Sequence, residues 1–170
     1  MKELSVREIN LADISHIVDY WLGSPVEHLM GMGVDLTKLP GEGQWRDMLE
    51  SQIDVDYMEK KSFCLICSLD NVPIGHCNID RIVYGESAYM HIHLWQPNSR
   101  QKGLGVQLIK KAIPIFFDKY KIKTLHCEPY SENPAPHKAL ELAGFSFVKE
   151  HITIPGSINF EQSVKLWKLE

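Results

Sequence analysis

Arg100-Gln101-Lys102-Gly103-Leu104-Gly105-Val106 stands between an apolar run that ends at Trp95 and a long amphipathic run that begins at Leu104. Glycines let a backbone approach a ligand closely, and free N–H groups opening a helix form an anion site that the helix dipole reinforces. Arg100 and Lys102 add mobile positive charge beside it. The spacing therefore predicts a phosphate-cradling loop that leads from a strand into a helix. No G-K-[ST] follows for a Walker-type loop, and a dinucleotide G-x-G-x-x-G needs glycine where Leu108 stands.

Toward the N-terminus the pattern is strand-like. Residues 88–95 form one strand, Gly85-Glu86 turns it from Val72–Val83, and Asp70-Asn71 turns that from Ser62–Leu69. Before these, Trp45, Met48, Leu49, Gln52 and Ile53 predict a helix over 44–60. Residues 24–43 hold Gly31, Gly33, Pro40, Gly41 and Gly43 and read as a mobile connection with one helical turn at 26–30. Ile14, Ile17, Val18, Tyr20 and Trp21 recur at helical spacing after Asp13, and residues 3–9 read as a first strand. Downstream, a helix over 104–118 turns Leu104, Leu108, Ala112 and Ile115 inward, and Pro114 should kink it or cost it a hydrogen bond. A strand at 123–128, a helix at 133–143 closed by Gly144, and a hairpin of 145–154 with 162–169 complete the chain. The order predicts one mixed α/β domain over residues 1–170, a sheet of six to seven strands flanked by about four helices.

Coenzyme A pyrophosphate is the glycine-loop ligand that remains. The ordered set resembles the GNAT family of N-acetyltransferases, whose acetyl-CoA loop [RQ]-x-x-G-x-[GA] is met by Arg100, Gly103 and Gly105. The family's next strand, and its Asn-led helix closing on Gly-Phe, are matched by residues 123–128 and by Asn133 with Gly144-Phe145, so the likeness covers about residues 72–155. It implies a GNAT-like sheet and acetyl-CoA as cofactor. Arg100, Gln101, Lys102, Gly103, Leu104, Gly105 and Val106 would take the pyrophosphate, Asn133 and His137 the pantetheine arm and its sulfur, and the backbone N–H groups of Leu94 and Trp95 the thioester. The reaction implied is transfer of an acetyl group to a primary amine, on a small molecule or a peptide, by direct attack in a ternary complex.

Composition fits one soluble globular domain of 170 residues. The N-terminus lacks the apolar core of a signal peptide and no apolar run reaches membrane-spanning length, so the expectation is a cytoplasmic protein, monomer or homodimer, with no membrane or nucleic-acid partner. Net charge is −4, with acids crowding the first third and lysines the loop region. That asymmetry suits an anionic cofactor and a cationic acceptor, or simply solvated helix faces. Cys64 and Cys67 have metal-knuckle spacing, yet three residues apart on a strand they face opposite sides and read as buried thiols.

Amide formation from an ammonium needs a base first. A lysine-like amine with pKa about 10.4 is neutral in only about one molecule in 2,500 at pH 7, worth about 4.6 kcal/mol, whereas a thiol leaving group with pKa near 8.5 needs little help. Tyr89, His91 and His93 alternate on one strand face, and His91 or His93 is the candidate base. By the resemblance that face borders the acceptor, with Tyr89 and Glu128 as acceptor contacts. The tyrosine and serine that the family uses as thiolate acids are replaced by Leu140 and Pro136, which leaves Tyr130 as candidate acid beside Ser131 and His137. Two other readings stay open: a His91-x-His93 metal-dependent enzyme, with Glu128 or His126 as a further ligand, and an acyl-CoA sensor without turnover.

Overall fold

The computed structural model describes residues 1–100 and 103–170. Seven strands, β1 (Leu4–Glu8), β2 (Ser62–Leu69), β3 (Val72–Val83), β4 (Ser87–Leu94), β5 (Thr124–Cys127), β6 (Ser146–Thr153) and β7 (Gln162–Leu169), form one sheet in the order β1-β2-β3-β4-β5-β7-β6. Five helices cover it: α1 (Ile14–Gly23), α2 (Val26–Gly31), α3 (Glu42–Glu50), α4 (Leu104–Tyr120) and α5 (Pro134–Ala143). Every neighbouring pair is antiparallel except β4 with β5. That parallel pair holds only from Ser87–Tyr89 against Thr124–His126, after which β4 runs on to Leu94 paired with β3 alone. The sheet is thereby split at its centre.

Both faces of the sheet are covered, which is why β2 reads as a continuous apolar run. Phe63, Leu65 and Cys67 face a core with Leu108, Ala112 and Phe116 of α4, while Cys64 and Ile66 face a second core with Ile17, Val18 and Trp21 of α1. The two thiols are free and on opposite sides, and burial pushes Cys67 up to about 12.

Four expectations are corrected. The helix expected over 44–60 ends at Glu50, because the Lys60 ammonium takes the carbonyls of Gln52 and Ile53, and Asp56 caps a separate 3-10 turn at Tyr57–Glu59. The connection over 24–43 contains α2 and is tied down: Gly33 O accepts from Gln162 Nε2 at 2.8 Å and from Asn159 Nδ2 at 3.0 Å, and Val34 bridges Asn159. Helix α4 runs through Pro114 to Tyr120. Pro114 and Lys110, whose carbonyl loses its partner, both lie on the exposed side, open to solvent, where the missing bond costs least. The buried stripe of α4 is Leu108, Ile109, Ala112, Phe116 and Tyr120, so Leu104 and Ile115 sit at its margins.

Candidate active site

Where β4 and β5 part, a cavity of about 410 Å³ opens. Met90, Ile92 and Ile109 lie on one side of it, Cys127 to Tyr130 with Asn133, Pro136 and Leu140 on another, and Trp21, Trp45, Met32 and Met48 at the end under α1 to α3. Cys127 Sγ donates to Met90 O at 3.0 Å, capping a carbonyl that lost its strand partner at the fork. Burial pushes that thiol up to about 12, so it stays protonated.

The polar wall comes from one face of β3 and β4. Cross-strand register pairs His76 with His93, Asn78 with His91, and Asp80 with Tyr89. His91 Nε2 donates to Asp80 Oδ1 at 3.1 Å, which leaves the Nδ1 lone pair of His91 free. Burial pushes Asp80 up, but His91 and Arg81 outweigh it and hold the carboxylate below its ordinary value. His93 meets Tyr20 instead, with Nδ1 at 3.1 Å from Oη. It stacks on His76 at 4.9 Å and meets the Trp21 ring edge-on at 4.9 Å. His93 is half-buried but lines a cavity, so the surrounding protein still desolvates it. Burial, then His76, His91, His28 and Arg100, hold its pKa well below the ordinary value. The two histidines therefore differ in chemistry: one is oriented by a carboxylate and the other is kept neutral.

Several sequence expectations change at this point. Arg100 is not a mobile phosphate cation: its Nε donates to Leu94 O at 2.9 Å, Nη2 to Trp95 O at 3.2 Å and Nη1 to His28 Nδ1 at 3.2 Å. Trp95 N–H is used by β3, donating to Ile74 O at 2.9 Å. Because alternate residues of an antiparallel pair point to opposite sides, Leu94 N–H faces the fork and Trp95 N–H does not. Glu128 already has two partners, Arg81 Nη1 at 3.1 Å and His151 Nε2 at 3.3 Å. Tyr89 packs between His126, stacked at 4.9 Å, and the Arg81 guanidinium at 3.5 Å from its ring centre. His137 braces the far side, accepting from Trp167 Nε1 at 3.2 Å and lying 3.2 Å from the Tyr130 carbonyl. Tyr130 lines the cavity but its hydroxyl donates to Glu132 at 3.0 Å. The His91-x-His93 ligand pair dissolves, since each imidazole turns to its own partner and His126 lies against Tyr89. Among the described residues no group of three metal-binding side chains is brought together.

Asn133 occupies the N-cap position of α5 without a side-chain capping bond, and it lines the cavity. Gly103 starts α4 at φ +67 with no side-chain cap, and a Cβ at Gly103 or Gly105 would meet nothing within 4 Å. A helix N-terminus with no side-chain cap among the described residues and open space at its glycines suits a pyrophosphate, and an unspent amide at Asn133 suits a pantetheine arm, so the donors present fit coenzyme A. Gln101 and Lys102 lie outside the described residues. Tyr20, His28, His76 and Asp80 were not singled out by the sequence, though Asp80 and His76 stand on a strand next to β4 with period-two spacing.

A split central sheet, a glycine-led helix beside it and an imidazole–carboxylate pair in the cavity suit an acyl-thioester-dependent transferase. The sequence model of the Acetyltransferase (GNAT) family matches residues 34–145. The chain belongs to that family and with it to the acetyl-CoA-dependent N-acetyltransferases. No curated protein sequence is significantly similar to it. Among solved structures, spermidine N-acetyltransferase from Vibrio cholerae in complex with CoA and spermine superposes with TM-score 0.79 at 18% identity, covering 98% of this chain and 94% of that one. An aminoglycoside acetyltransferase in complex with coenzyme A and kanamycin gives TM-score 0.75 at 13% identity, with 98% and 94% coverage. A microcin self-immunity acetyltransferase in complex with acetyl-CoA and AMP gives 0.79 at 14% identity, with 98% and 92%. No helix among the described residues is long and apolar enough to cross a membrane.

Proposed function

We propose that this protein acetylates a primary amine by direct attack, with His91 as general base and Asp80 as the group that orients it. The observation that carries the reading is the 3.1 Å bond from His91 Nε2 to Asp80, on the wall of the cavity that opens where the sheet splits. Asp80 fixes the tautomer that leaves Nδ1 as acceptor, and its negative charge stabilises the imidazolium formed when the ammonium is deprotonated. Acetyl-CoA supplies an activated acyl group whose sulfur leaves easily. Leu94 N–H, aimed into the fork, and Asn133 would orient it, and the α4 N-terminus would hold its phosphates. The cavity thiols do not take the acyl group: burial keeps Cys127 and Cys64 protonated, which favours a single transfer over a cysteine relay.

The acceptor end supports a monoamine on an apolar or aromatic body. Trp21 and Trp45 stack there at 5.4 Å with 9° between their planes, beside Met32 and Met48. Both cavity carboxylates, Asp80 and Glu128, are already engaged by the chain itself: they share the Arg81 guanidinium, at 3.5 and 3.1 Å, and each meets an imidazole, His91 and His151. A polyamine or an aminoglycoside brings several charges and finds no free carboxylate at this wall to receive them. An acyl-CoA sensor is the second reading, favoured by the buried Leu140 and the Pro136 at the family's acid positions. His91→Ala tests both: turnover should fall by about 10²–10⁴-fold at pH 7 with coenzyme A affinity by calorimetry unchanged. A wild-type protein that binds coenzyme A and turns over no amine in a broad thiol-release screen is a sensor.

A further inference from the structure

The second histidine of the cavity is wired differently from the first, and the wiring starts outside the cavity, at Arg100. An arginine only donates, so His28 Nδ1, 3.2 Å from Arg100 Nη1, is an acceptor. A neutral imidazole with one nitrogen accepting carries its proton on the other, so His28 Nε2–H donates to Tyr20 Oη at 2.9 Å. With its oxygen accepting from His28, the Tyr20 hydroxyl has one proton to place. It has two neighbours, His93 Nδ1 at 3.1 Å and Met32 Sδ at 3.5 Å. A thioether is a weak acceptor and an imidazole nitrogen a good one, so the proton goes to His93. His93 Nδ1 is therefore an acceptor and Nε2 carries hydrogen. Nε2 has no partner among the described residues, and the ring lines the cavity beside the fork.

We propose that His93 is a catalytic hydrogen-bond donor rather than a base, an imidazole presenting Nε2–H to the acyl oxygen, with Tyr20, His28 and Arg100 as positioning residues that fix its tautomer. The inference rests on the acetyltransferase reading and adds a side-chain donor to the backbone N–H of Leu94. A base must offer a lone pair to the substrate, and the lone pair of His93 is already occupied by Tyr20. A donor aimed at the oxygen where charge develops contributes most in a water-poor site and needs no reorganisation. His76, stacked behind His93 and accepting from Trp95 Nε1 at 2.8 Å, is held neutral as well, so no positive ring lies against it. The same Arg100 fork that sets the tautomer grips the carbonyls of Leu94 and Trp95. The end of β4 and the donor of His93 are thus locked together at the entrance to the glycine loop.

The test uses readouts other than turnover. In the free protein labelled with ¹⁵N in its histidine rings, His93, identified by its loss in His93→Gln, should show a bare Nδ1 and a protonated Nε2 from about pH 6 to pH 8. Tyr20→Phe and Arg100→Lys should each mix the two tautomers. An Nδ1–H tautomer or an imidazolium in the wild type overturns the proposal. In the complex with carbonyl-¹³C acetyl-CoA, the infrared carbonyl stretch should lie below that of free acetyl-CoA. The shift should vanish in His93→Leu, shrink in Tyr20→Phe, and persist in part in His93→Gln, whose amide still donates. Acetyl-CoA that binds with an unshifted carbonyl, or with the same shift in His93→Leu, overturns this inference alone. Failure of acetyl-CoA to bind in calorimetry overturns the acetyltransferase reading and this inference with it.

Discussion

The two faces of β3 and β4 are built from alternate residues of the same strands and do opposite things. Cys77, Ile79, Ala88 and Met90 point toward α4 and are fully buried among apolar neighbours. His76, Asn78, Asp80, His91 and His93 point the other way, into a wall of imidazoles, amide and carboxylate. The first face gains its stability from burial; the second holds polar groups under protein at a desolvation cost that hydrogen bonds must offset. Burial, with His91 nearby, pushes the pKa of His76 down to about 3, so the ring is held there in its neutral form. A split sheet supported by one face leaves the other free to carry chemistry.

Consecutive residues put the contrast to the test, and the largest effects are expected there. Ile79→Ala should lower unfolding free energy by about 2–5 kcal/mol, read from denaturant curves, and leave the pH profile of turnover alone. Asp80→Asn should do the reverse. It keeps the shape of the wall but removes the charge opposite His91, so turnover at pH 7 should fall by up to about 10²–10⁴-fold, with a loss of stability under about 1 kcal/mol. If Asp80→Asn destabilises the protein as much as Ile79→Ala does, the polar face is structural and the division fails.

Gly75 couples the faces. A Cβ there would sit 2.4 Å from the His93 carbonyl, so Gly75→Ala must push β4 away from β3. The expected cost is about 1–3 kcal/mol in stability, together with reduced turnover, since the strand that moves carries His91 and His93. A lower melting temperature with wild-type kinetics would show that β4 keeps its place by other contacts.

Acid separates the faces without mutation. The folded-state pKa of His76 lies below its unfolded value of about 6.5, so as pH falls the unfolded chain takes the proton first. Stability present above about pH 6.5 should be lost at about 1.4 kcal/mol per pH unit. The loss should continue until the folded group titrates at about 3. Burial lowers His28 and His93 as well, and they add to it with the same sign. Melting temperatures from pH 7.5 down to pH 5 check this, and His76→Asn should flatten the slope.

The apolar face was legible in the sequence and the polar face only in part. Strands β2, β3 and β7 have the expected boundaries because their limits are set by local chemistry, such as the Asp70-Asn71 turn with φ of 51 and 64. That Tyr89, His91 and His93 share a face follows from strand period alone. Which β3 residues join them depends on a bulge between Asp80 and Val83, where Arg81 has φ 46. Extending the register from the turn pair Val83–Ser87 without that bulge sets Asp80 opposite Met90 on the wrong face. Likewise Tyr20, with His28 behind it, reaches His93 only through the docking of α1 and α2 on the sheet, a contact across 73 residues that no local pattern encodes. Arg100 was recognisable as a motif residue, but its inward turn toward three acceptors was not.

The smallest effect is expected at Tyr130. It is the cavity phenol with a claim to protonate the departing thiolate, and it lies across the fork from the histidines. Its hydroxyl donates to Glu132 at 3.0 Å, and that bond raises its pKa above the ordinary value, which weakens it as an acid near neutrality. The thiolate also asks for little, because a thiol with pKa near 8.5 departs without prior protonation. Tyr130→Phe should therefore lower turnover by less than about 10-fold, while Asp80→Asn costs far more. Thiol-release kinetics on the two variants with one amine decide it. A Tyr130→Phe loss equal to that of Asp80→Asn would move the difficult proton transfer from the β3–β4 wall to the opposite bank of the cavity.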